Sequence, residues 1–235
     1  MKRYTALLLP PPSLLGELGL MRGVLPKARW ARLESLHLPL RSFTLPGRHE
    51  AAALDSALEH VRWKAFDMTL REVFITPPPP HAPNPELGLE VGAAPPGPLE
   101  ALQKKVENAV RSAGLPPRKS RWQPRLHLGA IPEGYLDDAV RWMQRHNLFR
   151  SLPMRVDRFF IAETWPDPEG PGAQMELAGV FSHDGRPLDL EDPLPDEDDD
   201  IYGEDGIADD DFLATLGGEG RDGEELGGTS ASQGG

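Results

Sequence analysis

The stretch LHLPLR at residues 36–41 is one of two segments that decide the fold. Side chains alternate between the two faces of a β-strand. The three leucines therefore share one face, and His37, Pro39 and Arg41 share the other. The pattern predicts a strand with an apolar back, buried against a core, and a front that carries histidine and arginine.

A second segment of the same design, RLHLGA, lies 89 residues later at residues 125–130. Its two leucines share the back of a strand, and Arg125 and His127 share the front. Histidine changes its charge near neutral pH, and the arginine guanidinium binds phosphate oxygens through a fork of N–H donors. Two such fronts facing one cleft have the groups needed to bind a phosphate and to transfer protons.

The rest of the first 186 residues alternates between strand and helix patterns. The apolar run at residues 4–9 predicts a buried strand rather than a signal peptide, because it is short and ends in three prolines. Further strands are expected at residues 66–75, 87–91, 154–162 and 174–181, and helices at 13–25, 50–63, 99–113 and 136–146. This repeated strand–helix–strand plan predicts an α+β fold, with two pseudo-symmetric antiparallel-sheet lobes and outer helices around a central cleft.

Charge divides the chain into two parts. Residues 1–186 have a net charge of +4 and form the predicted folded domain, whereas residues 187–235 have a net charge of −16. The second part is acidic and rich in glycine, so it is expected to be a disordered tail. Its one apolar set, Phe212, Leu213 and Leu216, follows three aspartates and precedes a glycine. This set predicts either a short helix that docks on a protein partner or, alternatively, a chance cluster in a solubilising tail.

Composition excludes several classes of site. The chain has no cysteine, so disulfides, thiolate nucleophiles and cysteine metal sites are excluded. No apolar run approaches the length of a membrane span, so a cytoplasmic protein with no membrane contact is expected. The histidines lack the spacings typical of metal ligands, and no phosphate loop or dinucleotide fingerprint is present. Neither a metal nor a cofactor is therefore predicted.

The two motif strands resemble the 2H phosphoesterase superfamily, specifically its 2′-5′ RNA ligase or RNA 2′,3′-cyclic phosphodiesterase branch. That family carries two copies of His-x-Thr-x, one in each lobe. The resemblance covers residues 3–181 and extends beyond the motifs. It includes the segment 30–40 that leads into the first motif, the Trp122-Gln123-Pro124 segment before the second, and the last predicted hairpin.

Both motifs depart from the family pattern. In the first, His37 keeps the family position, but Pro39 stands where the threonine is expected. Alignment on Pro124 places Arg125 at the second histidine position and His127 at the second threonine position. A slide of two residues instead keeps His127 as the histidine. The first alignment is favoured because it preserves the proline and the apolar alternation without an insertion.

The resemblance implies a metal-independent phosphodiesterase that acts on RNA or nucleotide 2′,3′-cyclic phosphate. In the family, one histidine is the general base and the other the general acid, so His37 and His127 are the candidate catalytic pair. Arg125 and Arg41 are candidate phosphate ligands in place of the lost hydroxyls. Trp122 is a candidate for stacking on a nucleobase.

Two other functions remain open from the sequence. Arg125 cannot release its proton at ordinary pH, so the chain is alternatively a catalytically inactive module that binds an RNA end or a nucleotide. A third hypothesis is an interaction protein that works through its acidic tail.

Overall fold

The computed structural model describes residues 2–23, 25–192 and 194. In this part of the chain the strands are β1 (Arg3–Leu8), β2 (Arg29–Trp30), β3 (Leu38–Thr44), β4 (Phe66–Thr76), β5 (Glu86–Ala94), β6 (Arg125–Pro132), β7 (Met154–Val156), β8 (Arg158–Pro166) and β9 (Ala173–Ser182). The helices are α1 (Pro12–Leu20), α2 (Arg48–Glu59), α3 (Pro96–Ser112) and α4 (Leu136–Arg145).

The strands form two antiparallel sheets. The first sheet has the order β3-β1-β8-β9, and the second has the order β2-β6-β5-β4-β7. The predicted α+β fold with two sheets and outer helices is therefore confirmed. The sheets do not divide the chain at its midpoint, because β8 from the end of the domain pairs with β1 from its start, and β9 pairs with β8.

Alternation along the strands decides which face of each sheet meets the helices. On β5, Leu87, Leu89 and Val91 are buried in the main core, whereas Glu90 between them is only partly buried. Helix α3 ends where the sequence indicates, because it is followed by Gly114, whose φ of +83° is the left-handed conformation typical of a helix C-terminus. We call the sheet face opposite the helices its inner face.

The main core is continuous across both sheets, and a second, smaller cluster lies on the inner face of the first sheet. That cluster consists of Leu7, Phe160 and Ala162, with partly buried neighbours that include Leu177 and Leu194. Its face follows from register, because Leu7 is paired with Pro39 and paired residues point to the same side of a sheet. The inner face of the first sheet is thus largely apolar.

Some boundaries differ from the sequence expectation. The strand predicted at 154–162 is interrupted at Asp157, and its two parts, β7 and β8, belong to different sheets. The two-residue strand β2 was not predicted, and α1 ends at Leu20 rather than near residue 25. None of the helices in the described residues has the length and apolarity required to cross a membrane. Residues 187–192 and 194 of the predicted disordered tail are described, and the rest of the tail, with the Phe212, Leu213 and Leu216 set, lies outside the described residues.

Candidate phosphate-binding cleft

The two motif strands share a β-bulge at the same position of their patterns. Where β3 pairs with β1, Ala6 is opposite Arg41 and Leu7 is opposite Pro39, which leaves Leu40 as the extra residue. Where β6 pairs with β5, Leu89 is opposite Gly129 and Glu90 is opposite His127, which leaves Leu128 as the extra residue. Bulges re-aim the side chains that follow them and occur often beside active sites.

The bulges define which residues of the two motifs are equivalent. With Leu40 matched to Leu128, His37 corresponds to Arg125 and Pro39 corresponds to His127. This register favours the alignment that keeps Pro124 in place. Only one of the two equivalent histidine positions therefore holds an imidazole, and the second imidazole is displaced by two residues along its strand.

His37 lies immediately before β3 and is held by the turn that precedes it. Its Nδ1 is 2.8 Å from the backbone carbonyl oxygen of Ser35. A carbonyl only accepts hydrogen bonds, so Nδ1 carries a proton and donates it, and Nε2 of the neutral ring is left as an acceptor. Burial lowers the pKa of His37 below its usual value of 6.5, and the nearby His127 lowers it further, against the opposing effect of the Ser35 carbonyl.

His127 lies on the inner face of the second sheet, opposite Glu90 in the β5–β6 pairing. Burial lowers its pKa below 6.5, while the Glu90 carboxylate and a hydrogen bond to the backbone carbonyl of Pro171 act in the opposite direction. Pro171 belongs to the loop between β8 and β9, so a loop from the first sheet holds a side chain of the second. The influence of His127 on the pKa of His37 places the two imidazoles within electrostatic range of each other.

Arg125 is fixed by three neighbours on the inner face of the second sheet. Its Nη1 lies 3.4 Å from Glu90 Oε2 and 3.4 Å from Thr76 Oγ1, and its guanidinium carbon lies 4.0 Å from the centre of the Phe74 ring. Thr76 donates a 2.6 Å hydrogen bond to Glu90 Oε2. A quarter of the Arg125 side chain remains exposed, so the guanidinium is oriented but still accessible to a ligand.

Arg41 does not lie with the other predicted site residues, which corrects the expectation that it shares the front of His37. The bulge at Leu40 reverses the alternation, so Arg41 points to the helix side of the first sheet, where it is 9% exposed. Its Nε lies 2.6 Å from Glu107 Oε2 on α3, and its Nη2 donates to the carbonyl of Pro116 at 2.6 Å. Arg41 is a buried structural residue.

The fold resembles that of several solved structures, although the sequence similarity is low. TT0787 of Thermus thermophilus is 17% identical, with a TM-score of 0.56 over 79% of this chain and 100% of that chain. LigT of E. coli in its apo form is 13% identical, with a TM-score of 0.55 over 77% of this chain and 96% of that chain. A protein described as a phosphoesterase gives a TM-score of 0.56 at 13% identity, over 78% of this chain and 98% of that chain.

The chain has the fold of the 2H phosphoesterases. No protein-family model matches it, and no curated protein sequence matches it. Within the 2H fold the two motif strands are recognised here by their place in the sheets and by their paired bulges, because their side chains depart from His-x-Thr-x. The structural match extends over both sheets, as the predicted resemblance over residues 3–181 requires.

A cavity opens beside Arg125 in this 2H fold, and Trp122 forms part of its wall. The other lining residues include Phe74, Gly92 and Arg121. The Trp122 indole N–H donates a 2.8 Å hydrogen bond to the carbonyl of Pro39, which ties the segment before β6 to β3. Gly92 has to lack a side chain, since a Cβ there would lie 2.8 Å from the Phe74 ring.

Three of the residues that shape the site, Thr76, Phe74 and Glu90, were not singled out from the sequence. They lie on β4 and β5, which neither motif includes. A signal for Glu90 is present in the sequence, because it is an acid between Gly88 and Gly92 on the front of a strand with an apolar back. Among the described residues, no group of three histidines or carboxylates is arranged to hold a metal ion.

Proposed function

We propose that the cleft binds the 2′,3′-cyclic phosphate of an RNA end or a nucleotide and hydrolyses it without a metal. The observation that carries the proposal is the accessible guanidinium of Arg125 on the same face of β6 as His127, whose imidazole lies within electrostatic range of His37. Paired histidines perform general acid–base catalysis near neutral pH, and a guanidinium binds phosphate oxygens with directed hydrogen bonds.

His37 is the proposed general base. Its Nε2 is available to accept a proton from a water molecule, because Nδ1 is committed to the Ser35 carbonyl. The water oxygen forms a bond to phosphorus while the bond from phosphorus to one ribose oxygen breaks. His127 is the proposed general acid, which gives a proton to that leaving oxygen. The Glu90 carboxylate favours the protonated form of His127 that this step requires.

Arg125 is the proposed phosphate ligand. The stacking of its guanidinium on Phe74 and its contact with Thr76 restrict its orientation before a ligand arrives, which reduces the entropy lost on binding. The neighbouring cavity offers room for a nucleobase against Trp122. The similarity to LigT, whose structures include complexes with 3′-AMP and with phosphate, supports a nucleotide ligand.

A second candidate function follows from the bulge register. Because Arg125 occupies the position equivalent to His37, the cleft has one imidazole where two equivalent ones are expected from the resemblance. A shift of two residues moves a side chain by about 6–7 Å along a strand, and such displacements reduce catalysis strongly. The second candidate is therefore a module that binds a phosphorylated RNA end or nucleotide without turnover.

Incubation of the full chain with adenosine 2′,3′-cyclic phosphate and a metal chelator distinguishes the two functions. An enzyme converts the substrate to a single monoester product, and a double variant, His37→Ala with His127→Ala, does not. Absence of turnover in the intact protein, together with measurable binding of the cyclic nucleotide, contradicts the enzyme and supports the binding module. Absence of both turnover and binding contradicts both proposals.

A further inference from the structure

The carboxylate of Glu90 lies beside Arg125, the residue that is proposed to bind the phosphate. Its Oε2 is 3.4 Å from Arg125 Nη1, in an ion pair whose side chains are 19% and 25% exposed. A phosphate oxygen held by Arg125 at about 2.8 Å, the usual length for such a pair, therefore lies within about 6 Å of the carboxylate. Glu90 remains beside the ligand and repels it in proportion to the ligand's charge.

Glu90 is held in this place from two sides. Thr76 Oγ1 donates to its Oε2 at 2.6 Å, and the flanking Gly88 and Gly92 leave the front of β5 free of other side chains. Arg125 and His127 on β6 interact with it directly, and Arg71 on β4, which is paired with Gly92, points to the same side of the sheet. Because both histidines have lowered pKa values, arginines supply the positive charge that faces a ligand at neutral pH, and Arg125 is the one in contact with Glu90, while Arg71 and Arg121 line the adjoining cavity.

We propose that Glu90 is a specificity-determining residue that makes the cleft select singly charged phosphodiesters over doubly charged phosphomonoesters. This inference rests on the proposed function for the position of the phosphate. A phosphodiester carries one negative charge, whereas a monoester gains its second charge with a pKa near 6. The charge of one guanidinium, partly neutralised by one carboxylate, balances the single charge of a phosphodiester. A phosphomonoester bound at the same place keeps excess negative charge. In a hydrolase the same repulsion favours release of the monoester product.

The test compares two ligands that differ by one charge and by one methyl group. They are 2′-deoxyadenosine 3′-phosphate and its methyl ester, and neither has the 2′-hydroxyl needed for a cyclic product. Binding of each to the full chain at pH 7.5 is measured by calorimetry for the unmodified protein and for Glu90→Gln. Glu86→Gln is the matched control, because Glu86 is on the same strand and pairs with an arginine, Arg29, at 2.6 Å.

The unmodified protein is expected to bind the methyl ester more tightly than the monoester. Glu90→Gln is expected to improve monoester binding about tenfold relative to the ester, as one extra charge about 6 Å away at a partly exposed site implies. Glu86→Gln is expected to leave the ratio unchanged. An unchanged ratio in Glu90→Gln overturns the proposal, even when the enzyme hydrolyses cyclic phosphates. If the unmodified protein binds neither ligand, both this proposal and the proposed function are overturned.

A second measurement needs no variant and remains decisive if Glu90→Gln does not fold. The affinity of the unmodified protein for each ligand is measured between pH 5 and pH 8. Protonation of His37 and His127 strengthens binding of the doubly charged monoester more than binding of the singly charged ester, so the ratio of the two affinities reports the ligand's second charge together with the charge of the two imidazoles. The affinity for the methyl ester divided by the affinity for the monoester is expected to increase as the pH rises through about 6. A constant ratio, or a shift toward the monoester, overturns the proposal.

Discussion

Strands β3 and β6 have the same β-bulge, formed by an extra leucine at the same position of each motif. The side chains on the inner faces of the two motifs are nevertheless different. His37, immediately before β3, and Pro39 on β3 lie beside the apolar inner face of the first sheet. On β6, Arg125 and His127 lie beside Glu90. The difference teaches that the leucines and the bulge specify the backbone, while the front positions are free to change and decide what the cleft does.

The largest expected effect is the loss of turnover when either imidazole is removed. His37→Ala and His127→Ala should each lower kcat/KM for a nucleoside 2′,3′-cyclic phosphate by ~10²–10⁴-fold, the usual contribution of a general acid or base. His60→Ala, at an exposed position after α2, serves as the control. If only His37→Ala has this effect, then β6 contributes no acid–base group, and the two strands differ more than we propose.

Arg41 and Gly129 follow the two bulges at equivalent positions, and replacement of Arg41 tests this part of the comparison. Arg41→Met should lower the free energy of unfolding by about 1–3 kcal/mol, because it removes the guanidinium partner of the partly buried Glu107 carboxylate, which keeps the backbone N–H of Arg118. Urea denaturation measures this change. The control Arg29→Met breaks a more exposed ion pair and should cost less than about 1 kcal/mol.

The double variant Arg41→Met with Glu107→Leu should recover much of that loss, since no unpaired buried charge remains. The structural role is contradicted if Arg41→Met has a small effect on stability and a large effect on ligand affinity. Arg41 would then be a ligand-binding residue of the cleft.

Arg125 is predicted to act through ligand affinity rather than through folding. Arg125→Ala should weaken binding of a nucleotide 3′-phosphate by about 10–100-fold, which corresponds to the loss of charge-assisted hydrogen bonds. Arg125→Lys should restore only part of the affinity, because an ammonium lacks the planar fork of donors. Arg121→Ala, in the wall of the adjoining cavity, is the control for a general loss of positive charge. Equal losses for both alanine variants would contradict a specific role for Arg125.

The smallest predicted effect concerns stability below neutral pH. Both motif histidines have folded-state pKa values lowered below 6.5, so the unfolded chain binds more protons than the folded one as the pH falls through this range. Their contribution to stability is therefore present above pH 6.5 and is lost on acidification. Thermal unfolding should show a shallower pH dependence in His37→Gln and in His127→Gln than in the unmodified protein. An unchanged slope in both variants would contradict the burial of neutral imidazoles.

Much of the fold could be predicted from the sequence because it depends on local periodicity. The alternation of leucines at 36, 38 and 40 identified the buried face of β3, and the apolar stripe ending at Gly114 identified α3. The break at Asp157 could not be predicted in this way, because apolar residues occur on both sides of it, and only the pairing partners assign β7 and β8 to different sheets.

The site could be predicted only in part, since it depends on contacts between distant strands. His37, Arg125 and His127 lie within the two motifs and were identified. Arg41 was misplaced because simple alternation does not register the extra residue at Leu40. The role of Glu90 could not be predicted, because it depends on a 3.4 Å contact with the guanidinium of Arg125, which is 35 residues away in sequence.

The pH dependence of kcat/KM for a nucleoside 2′,3′-cyclic phosphate is the most direct test of the two-histidine cleft. A base that must be unprotonated and an acid that must be protonated produce a bell-shaped profile. Because burial lowers both pKa values, the maximum is expected below pH 6.5. His37→Ala should abolish the acidic limb of any residual activity, and His127→Ala the basic limb. A profile with no dependence on either histidine would contradict the account.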